Sequence, residues 1–356
     1  MPVINTEIID PSSDITTTTT LLHETIPITG TICSGTYSDN NIKNYTHGMF
    51  QSVYDYPYLS SSSNHIFDLT IGYDSTSPVS SSTATQNTKK INLYNQYAQV
   101  LLGYTASNAD NIQKFESDLD LDGTGVMGNT FFISFSRLLA KDEIKRGNVS
   151  LVVGTGSWAS PFMDGATNTG VTLIDASASV GGNGIKNVIG GNYGLLYDSA
   201  ENKVAKGVVF YEAGVIVLTS SVFQHCVQFN SGSGYGPSGF DALDVTQSFG
   251  SASITSSCDA LRHRIQNISF NNTTEINSKI YFCRVNHNDF NYSANPTYVD
   301  GSKIRVKSAA SDQPISYITT VGLYNAAGEL LAVAKLSEPL RKDPNNDMTI
   351  RVRLDY

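Results

Sequence analysis

Apolar residues in this chain come in short runs, often at alternate positions, separated by stretches rich in Ser, Thr, Asn and Gly. Alternation of period two bounded by turn-forming residues predicts β-strands. Ile66-Phe67-Asp68-Leu69-Thr70-Ile71-Gly72 predicts one strand, and Phe131-Phe132-Ile133-Ser134-Phe135 reads as another. Ser150-Leu151-Val152-Val153-Gly154 reads as a buried strand. Val208-Val209-Phe210-Tyr211 and Val215-Ile216-Val217-Leu218-Thr219 flank Glu212-Ala213-Gly214 and predict a hairpin. From residue 268 onward the pattern is almost wholly sheet. Residues 279–285 and 317–324 predict strands, and Asn325-Ala326-Ala327-Gly328-Glu329 turns the second into residues 330–336. Residues 349–356 alternate, with Arg351 and Arg353 on one face and Ile350, Val352 and Leu354 on the other.

Helical periodicity surfaces in few places. Between residues 89 and 103, Ile91, Tyr94, Ala98, Leu101 and Leu102 fall at helical spacing and Gly103 supplies a stop. A short helix is predicted over 137–146, with Ser136 as cap, Leu138, Leu139 and Ile144 as apolar face and Gly147 after Lys145-Arg146. Lys141, Lys145 and Arg146 would then share its solvated side. A further turn or two is predicted over 258–266. Residues 1–25, with the run Thr16 to Thr20, read as an extended arm too poor in apolar surface to fold alone. Ordering such an arm calls for contacts, which the sequence places against another subunit. The expected fold is therefore mainly β with a few short helices (α+β), built of antiparallel sheets. Its parts are an N-terminal arm over 1–25, a mixed β/α core over 26–267 and a C-terminal antiparallel β-domain over 268–356.

Composition sharpens this picture. Charged residues make up 15% of the chain, against roughly 25% in ordinary soluble domains. Nineteen Tyr and one Trp add amphipathic area of the kind subunit interfaces use, although Tyr also simply favours strands. A net charge of −9 argues against a general nucleic-acid surface. Residues 268–356 hold 10 Lys/Arg against 9 Asp/Glu, so the acidic surplus lies before residue 268. No apolar stretch is long enough to predict a membrane span. The first residues show neither the basic nor the apolar region of a secretory signal. Cys33, Cys226, Cys258 and Cys283 lie far apart without metal-ligand spacing. They read as reduced thiols, two disulfides being the alternative.

Ile318-Thr319-Thr320-Val321-Gly322-Leu323-Tyr324, the turn with Gly328-Glu329, and Leu330-Leu331-Ala332-Val333-Ala334-Lys335-Leu336 resemble a β-hairpin of phage tail-collar fibre and baseplate proteins. The likeness continues through Ser337-Glu338-Pro339-Leu340-Arg341-Lys342. Phe290-Asn291-Tyr292-Ser293-Ala294-Asn295-Pro296-Thr297-Tyr298 is similar to segments of virion proteins from contractile-tailed phages. Residues 131–139 and 142–147 give a second echo. The resemblance implies a structural role in a virion, most often in the baseplate, with copies of the chain and other virion proteins as partners in a symmetric assembly. A neck or collar connector is the nearest alternative. A calcium-dependent glycan-binding tail module is an alternative of another class.

Chemistry is sparse. Asp118-Leu119-Asp120-Leu121-Asp122-Gly123 has the Asp-x-Asp-x-Asp-Gly opening of a calcium loop, in which alternate carboxylates converge on one ion. The twelfth position is Asn129, where such a loop wants Glu, and a strand rather than a helix follows. Asp118, Asp120 and Asp122 therefore read as an acidic solvent loop, and no metal or other cofactor is expected. The six histidines are scattered. His225-Cys226, adjacent on an expected strand, would point to opposite faces, a poor geometry for a nucleophile and its base. The Gly-rich stretch over 181–186 lacks the spacing of a phosphate loop. No catalytic residue is assigned, and the expectation is a protein without enzymatic activity.

Overall fold

The computed structural model describes residues 7–28, 39–105, 108–165, 167–175, 185–200, 205–226, 229–230, 244–293, 297–301, 303–304, 309 and 311–356. In chain order the elements begin with β1 (Ile15–Ile28), β2 (Ile42–Asn44), β3 (Gln51–Tyr54), β4 (His65–Tyr73) and α1 (Asn87–Leu101). There follow β5 (Tyr104–Thr105), β6 (Asn108–Ile112), β7 (Asn129–Phe135), α2 (Arg137–Ala140), β8 (Glu143–Ile144) and β9 (Ser150–Gly154). Next come β10 (Met163–Asp164), β11 (Thr167–Asn168), β12 (Gly170–Ile174), β13 (Ile185–Val188), β14 (Gly191–Asp198), β15 (Ala205–Phe210) and β16 (Val215–Thr219). Helices α3 (Val245–Ser251) and α4 (Ile254–Arg264) precede β17 (Ile265–Val285), β18 (Val299–Asp300), β19 (Lys303–Ile304), β20 (Ser316–Tyr324), β21 (Leu330–Lys342) and β22 (Met348–Asp355). The fold is mainly β and antiparallel, as the alternation predicts. Among the described residues no helix is long and apolar enough to cross a membrane.

The chain divides into two compact units, residues 22–274 and residues 1–21 with 275–356. The two units meet at 274/275, within β17 and close to the charge step near 267. In the first unit the strand order runs β9-β12-β14-β15-β16-β7-β4-β3-β2, with residues 265–269 of β17 paired to β9. The central strands are buried on both faces, and period two sorts their side chains into two cores. Phe131 and Ile133 of β7 join one apolar cluster with Leu69, Ile71, Ile216 and Leu218. Phe132, between them, joins the other with Phe210, Val217 and Tyr193. Phe249 of α3 and Leu261 of α4 pack into the first cluster, while Tyr94, Ala98 and Leu101 of α1 pack into the second. Gly72 lets α1 cross β4 closely, since a Cβ there would lie 2.8 Å from the Lys90 carbonyl and the Tyr94 amide.

Three expectations need correction here. The helix predicted over 137–146 is a single turn, α2, that stops at Lys141 with φ 53°. Ile144 instead enters β8, fully buried and opposite Asn272 of β17. One turn fixes many dihedrals for little hydrogen bonding, so burial of Ile144 in the sheet outweighs helical propensity, and Lys141, Lys145 and Arg146 share no helix face. The helix near 258–266 begins earlier, with the Ser253 hydroxyl accepting from the Ser256 amide as N-cap. His225-Cys226 lie in a turn after the short 3-10 helix Ser220–Phe223, not on a strand.

In the second unit, residues 278–285 of β17 pair with β22 and place Cys283 opposite Ile350 and Tyr281 opposite Val352. Ile350 and Val352 are buried while Arg351 and Arg353 are exposed, the alternation read from the sequence. The N-terminal arm finds a partner in its own chain. Asp14 accepts from the Phe282 amide at 2.9 Å and pairs with Arg284 at 2.7 Å, and β1 is next to β17 in the strand order. Its β-branched Thr run is suited to a strand. Val3, Ile4, Cys33 and the Gly181–Gly184 turn lie outside the described residues.

Candidate functional sites: an acidic loop and an exposed hairpin

The Asp-x-Asp-x-Asp loop sits on a narrow stem between β6 and β7. The Ser117 amide donates to the Gly125 carbonyl and the Met127 amide to the Phe115 carbonyl, while Glu116 bridges to Val126. Left-handed φ values at Leu121, Gly123 and Gly125 fold the loop back over the stem. One carboxylate oxygen each from Glu116, Asp118 and Asp122 lies within 4.8 Å of the other two. Asp120 does not join them. Its amide donates to Asp118 Oδ1, and its carbonyl accepts from Lys186 Nζ. Sequence inspection missed Glu116 because the calcium-loop template looks downstream for its last acid, at Asn129. The signal was two residues upstream of the first Asp.

Each of the three carboxylates spends one oxygen on holding the loop. Glu116 Oε1 accepts from the Gly123 amide and Gln113 Nε2. Asp118 Oδ1 accepts from the Asp120 amide, and Asp122 Oδ1 from the amide and hydroxyl of Thr124. Glu116 is 2% exposed, and its Oε2 is buried without a hydrogen-bond partner among the described residues. Burial, reinforced by the charges of Asp118 and Asp122, pushes its carboxyl above the ordinary carboxylate range. The Thr124 hydroxyl and amide hold Asp122 below that range. Tyr193, 1% exposed, also has a buried hydroxyl with no partner. Its acidity is suppressed first by burial and then by the charges of Glu116, Asp118 and Asp120, which places it in the field of the same loop.

Elsewhere polar chemistry is absorbed into structure. Ser52 Oγ and His65 Nε2 both reach Asp68 Oδ1, at 2.5 and 2.9 Å. The carboxylate thus stands between hydroxyl and imidazole, whereas nucleophile activation needs the imidazole in the middle. Cys226 Sγ donates to the Thr155 carbonyl, and His263 stacks on Trp158 and bonds its carbonyl. Among the described residues three cations are fully buried, Lys90, Arg264 and, in the second unit, Lys342. Lys90 Nζ donates to the Phe249 and Ala252 carbonyls at 2.6 and 2.8 Å, and Arg264 Nη1 to those of Gly154 and Gly156. Backbone carbonyls thus accept from both Lys90 and Arg264. Nothing in the sequence distinguishes Lys90 from an exposed helical Lys.

The hairpin of β20 and β21 is the second site. It forms its own two-stranded sheet, closed by a turn in which Asn325 Oδ1 accepts from the Ala327 and Glu329 amides and Gly328 takes φ 80°. The register jumps from Ile318↔Leu340 to Thr320↔Lys335, so residues 336–339 bulge and Pro339 avoids a ladder position. At the base Lys342 is buried, its Nζ bonded to the His287 carbonyl and Asn291 Oδ1. Val321, Ala334 and Leu336 lean on the small cluster around Val285, Ile350 and Val352. Ile318 leans on the same cluster, and much of the remaining apolar surface faces out. Leu331 is 68% exposed and Leu330 and Val333 each 51%, with Tyr324, Tyr317 and Leu340 also exposed.

Comparison of the chain with family models, with curated protein sequences and with solved structures gives no match.

Proposed function

We propose that this chain is a non-catalytic structural subunit of a tailed-phage particle, most plainly of its baseplate or tail, and that it acts by docking to neighbouring subunits through the β20–β21 hairpin. The observation that carries this reading is the hairpin itself. The segment whose residues resemble tail-collar and baseplate hairpins is also the one that exposes Leu330, Leu331, Val333 and Tyr324 together. Exposed apolar patches rimmed by polar residues mark interaction surfaces, and interface centres favour aromatic and apolar side chains over charge. An isolated two-stranded ribbon is marginal in water, so a neighbour that covers its outer face stabilises it. The low overall charge and the abundance of Tyr suit the same role.

The test is incorporation. The double substitution Leu331→Asp with Val333→Asp should leave a soluble folded chain that fails to enter particles, read by mass spectrometry of purified virions after complementation. A cryo-EM map should show the hairpin against another subunit. Normal occupancy of the double variant, or a hairpin pointing into solvent in the map, would overturn the proposal.

A further inference from the structure

We infer that Glu116, Asp118 and Asp122 form a calcium site, closed on its inner side by Glu116 and reached from solvent through the loop of residues 118–124. This stands on the geometry of the first unit and is independent of the structural role proposed above. Three observations converge. First, the three carboxylates lie within 4.8 Å of one another. Calcium takes oxygen ligands at about 2.3–2.6 Å, so oxygens on opposite sides of one ion stand roughly 4.6–5.2 Å apart. The spacing therefore admits one ion touching all three. Second, Glu116 Oε1, Asp118 Oδ1 and Asp122 Oδ1 take the hydrogen bonds that shape the loop, while Glu116 Oε2 has no hydrogen-bond partner among the described residues.

The third observation brings in a residue from outside the acidic cluster, Tyr193. Two buried polar groups at this loop lack any partner among the described residues, the inner oxygen of Glu116 and the hydroxyl of Tyr193. A buried carboxylate oxygen without a donor is costly unless something positive meets it. No lysine or arginine does so among the described residues. Lys186 is turned to the Asp120 carbonyl, and Lys114 pairs with Asp74 at 2.7 Å. A cation bound by Glu116 Oε2 satisfies that atom, and a water on the same ion gives the Tyr193 hydroxyl an acceptor. All-oxygen donors with no nitrogen or sulfur exclude a zinc-type site, and an irregular flexible loop suits calcium better than the strict octahedron of magnesium. Glu116 thus takes the place of the acid that the twelve-residue template seeks at Asn129, arriving from the stem rather than from an exit helix.

The experiment is calorimetric titration of the full chain with calcium chloride after chelator treatment. The expected result is one saturable site with Kd between about 10⁻⁷ and 10⁻³ M, the span of regulatory and extracellular calcium sites. Magnesium chloride should bind more weakly. Glu116→Gln keeps an acceptor for the Gly123 amide and should weaken calcium at least about tenfold, roughly 1.4 kcal/mol. Should Glu116→Gln fail to fold by circular dichroism, Asp122→Asn, on the exposed side of the loop, supplies the same test with the same expected loss. Asp198→Asn, at the end of β14, should bind as the unaltered chain does. Absence of saturable heat at millimolar calcium, unchanged binding in the Asp122→Asn or folded Glu116→Gln chain, or magnesium binding as tight as calcium would overturn the assignment.

Discussion

The two units use the same strand grammar to opposite ends. In residues 22–274 the central strands carry apolar side chains on both faces, and both faces are covered, one by α3 and α4 and the other by α1. Among the described residues of 275–356, Val285, Ile350 and Val352 form a small buried cluster, and the longest hairpin leaves Leu330, Leu331 and Val333 exposed. The first unit therefore draws its stability from its own interior. The second exposes more apolar surface and has a smaller interior. The difference teaches that hydrophobic content alone does not locate a core; what decides is whether a second layer exists to cover each face.

The comparison breaks or sharpens under mutation. Phe131→Ala in β7 removes a ring that meets Phe223, Phe229 and Phe249, and should destabilise the isolated protein by about 3–5 kcal/mol. Val352→Ala in the small cluster should cost nearer ~1–2 kcal/mol. Urea unfolding of both measures the contrast, and equal losses would show that the second unit has a core of comparable worth.

A somewhat smaller effect is expected at Lys90. Lys90→Ala leaves the Phe249 and Ala252 carbonyls without their donor and opens a cavity, so a loss of about 2–4 kcal/mol is expected. Its pH signature is more specific. Burial brings the Lys90 pKa down from 10.5 to about 8. Between these values the unfolded chain binds the proton more than the folded one does, so this group makes stability rise as pH rises through that window. Below pH 8 its penalty is constant. Tyr94 and Tyr211 act in reverse, because burial raises them above their ordinary 10.0 and their contribution is lost at more alkaline pH. Burial also raises the thiols of Cys226, Cys258 and Cys283 above their ordinary 9.0, and these oppose Lys90 in the same range. The Lys90 effect is therefore read as the difference between the unaltered chain and Lys90→Met from pH 8 to 10, the variant showing the less positive slope, and identical slopes would show that Lys90 does not titrate there.

Hydrogen exchange should separate the units without mutation. Amides of β7 and β16, paired on both edges, should exchange only through global opening, while β20 and β21 should open locally and much faster. The smallest expected effect on the isolated chain belongs to the hairpin surface. Leu331→Ser with Val333→Ser should change its stability by no more than about 0.5 kcal/mol per site. A large loss there would mean that the outward side chains already support their own fold.

Much of the fold was legible before the structure. The hairpin of β20 and β21, the alternation of β22 and the span of α1 follow from local signals, period two, period 3.6 and a Gly-bearing turn. Helix α3 was legible but passed over, since Asp244 and Gln247 form a capping box in the spacing such boxes require. The calcium-like loop was half legible: Asp118 and Asp122 stand in the cluster, Asp120 does not, and Glu116 was invisible to a downstream template.

What the sequence determined by itself is therefore the set of strands, their alternation and the turns between them, because these depend on neighbours within a few residues. Tertiary structure alone decided which faces are covered, and that depends on partners far along the chain. It turned Ile144 from a helix position into a strand by offering it Asn272 as neighbour. It buried the Lys90 ammonium by bringing the carbonyls of Phe249 and Ala252 across a separation of about 160 residues. It packed Tyr193 of β14 into the cluster that includes Phe115, next to Glu116, so that two polar groups distant in sequence lie buried in one loop's field. Local propensity is a property of the chain, but desolvation is a property of everything packed around it.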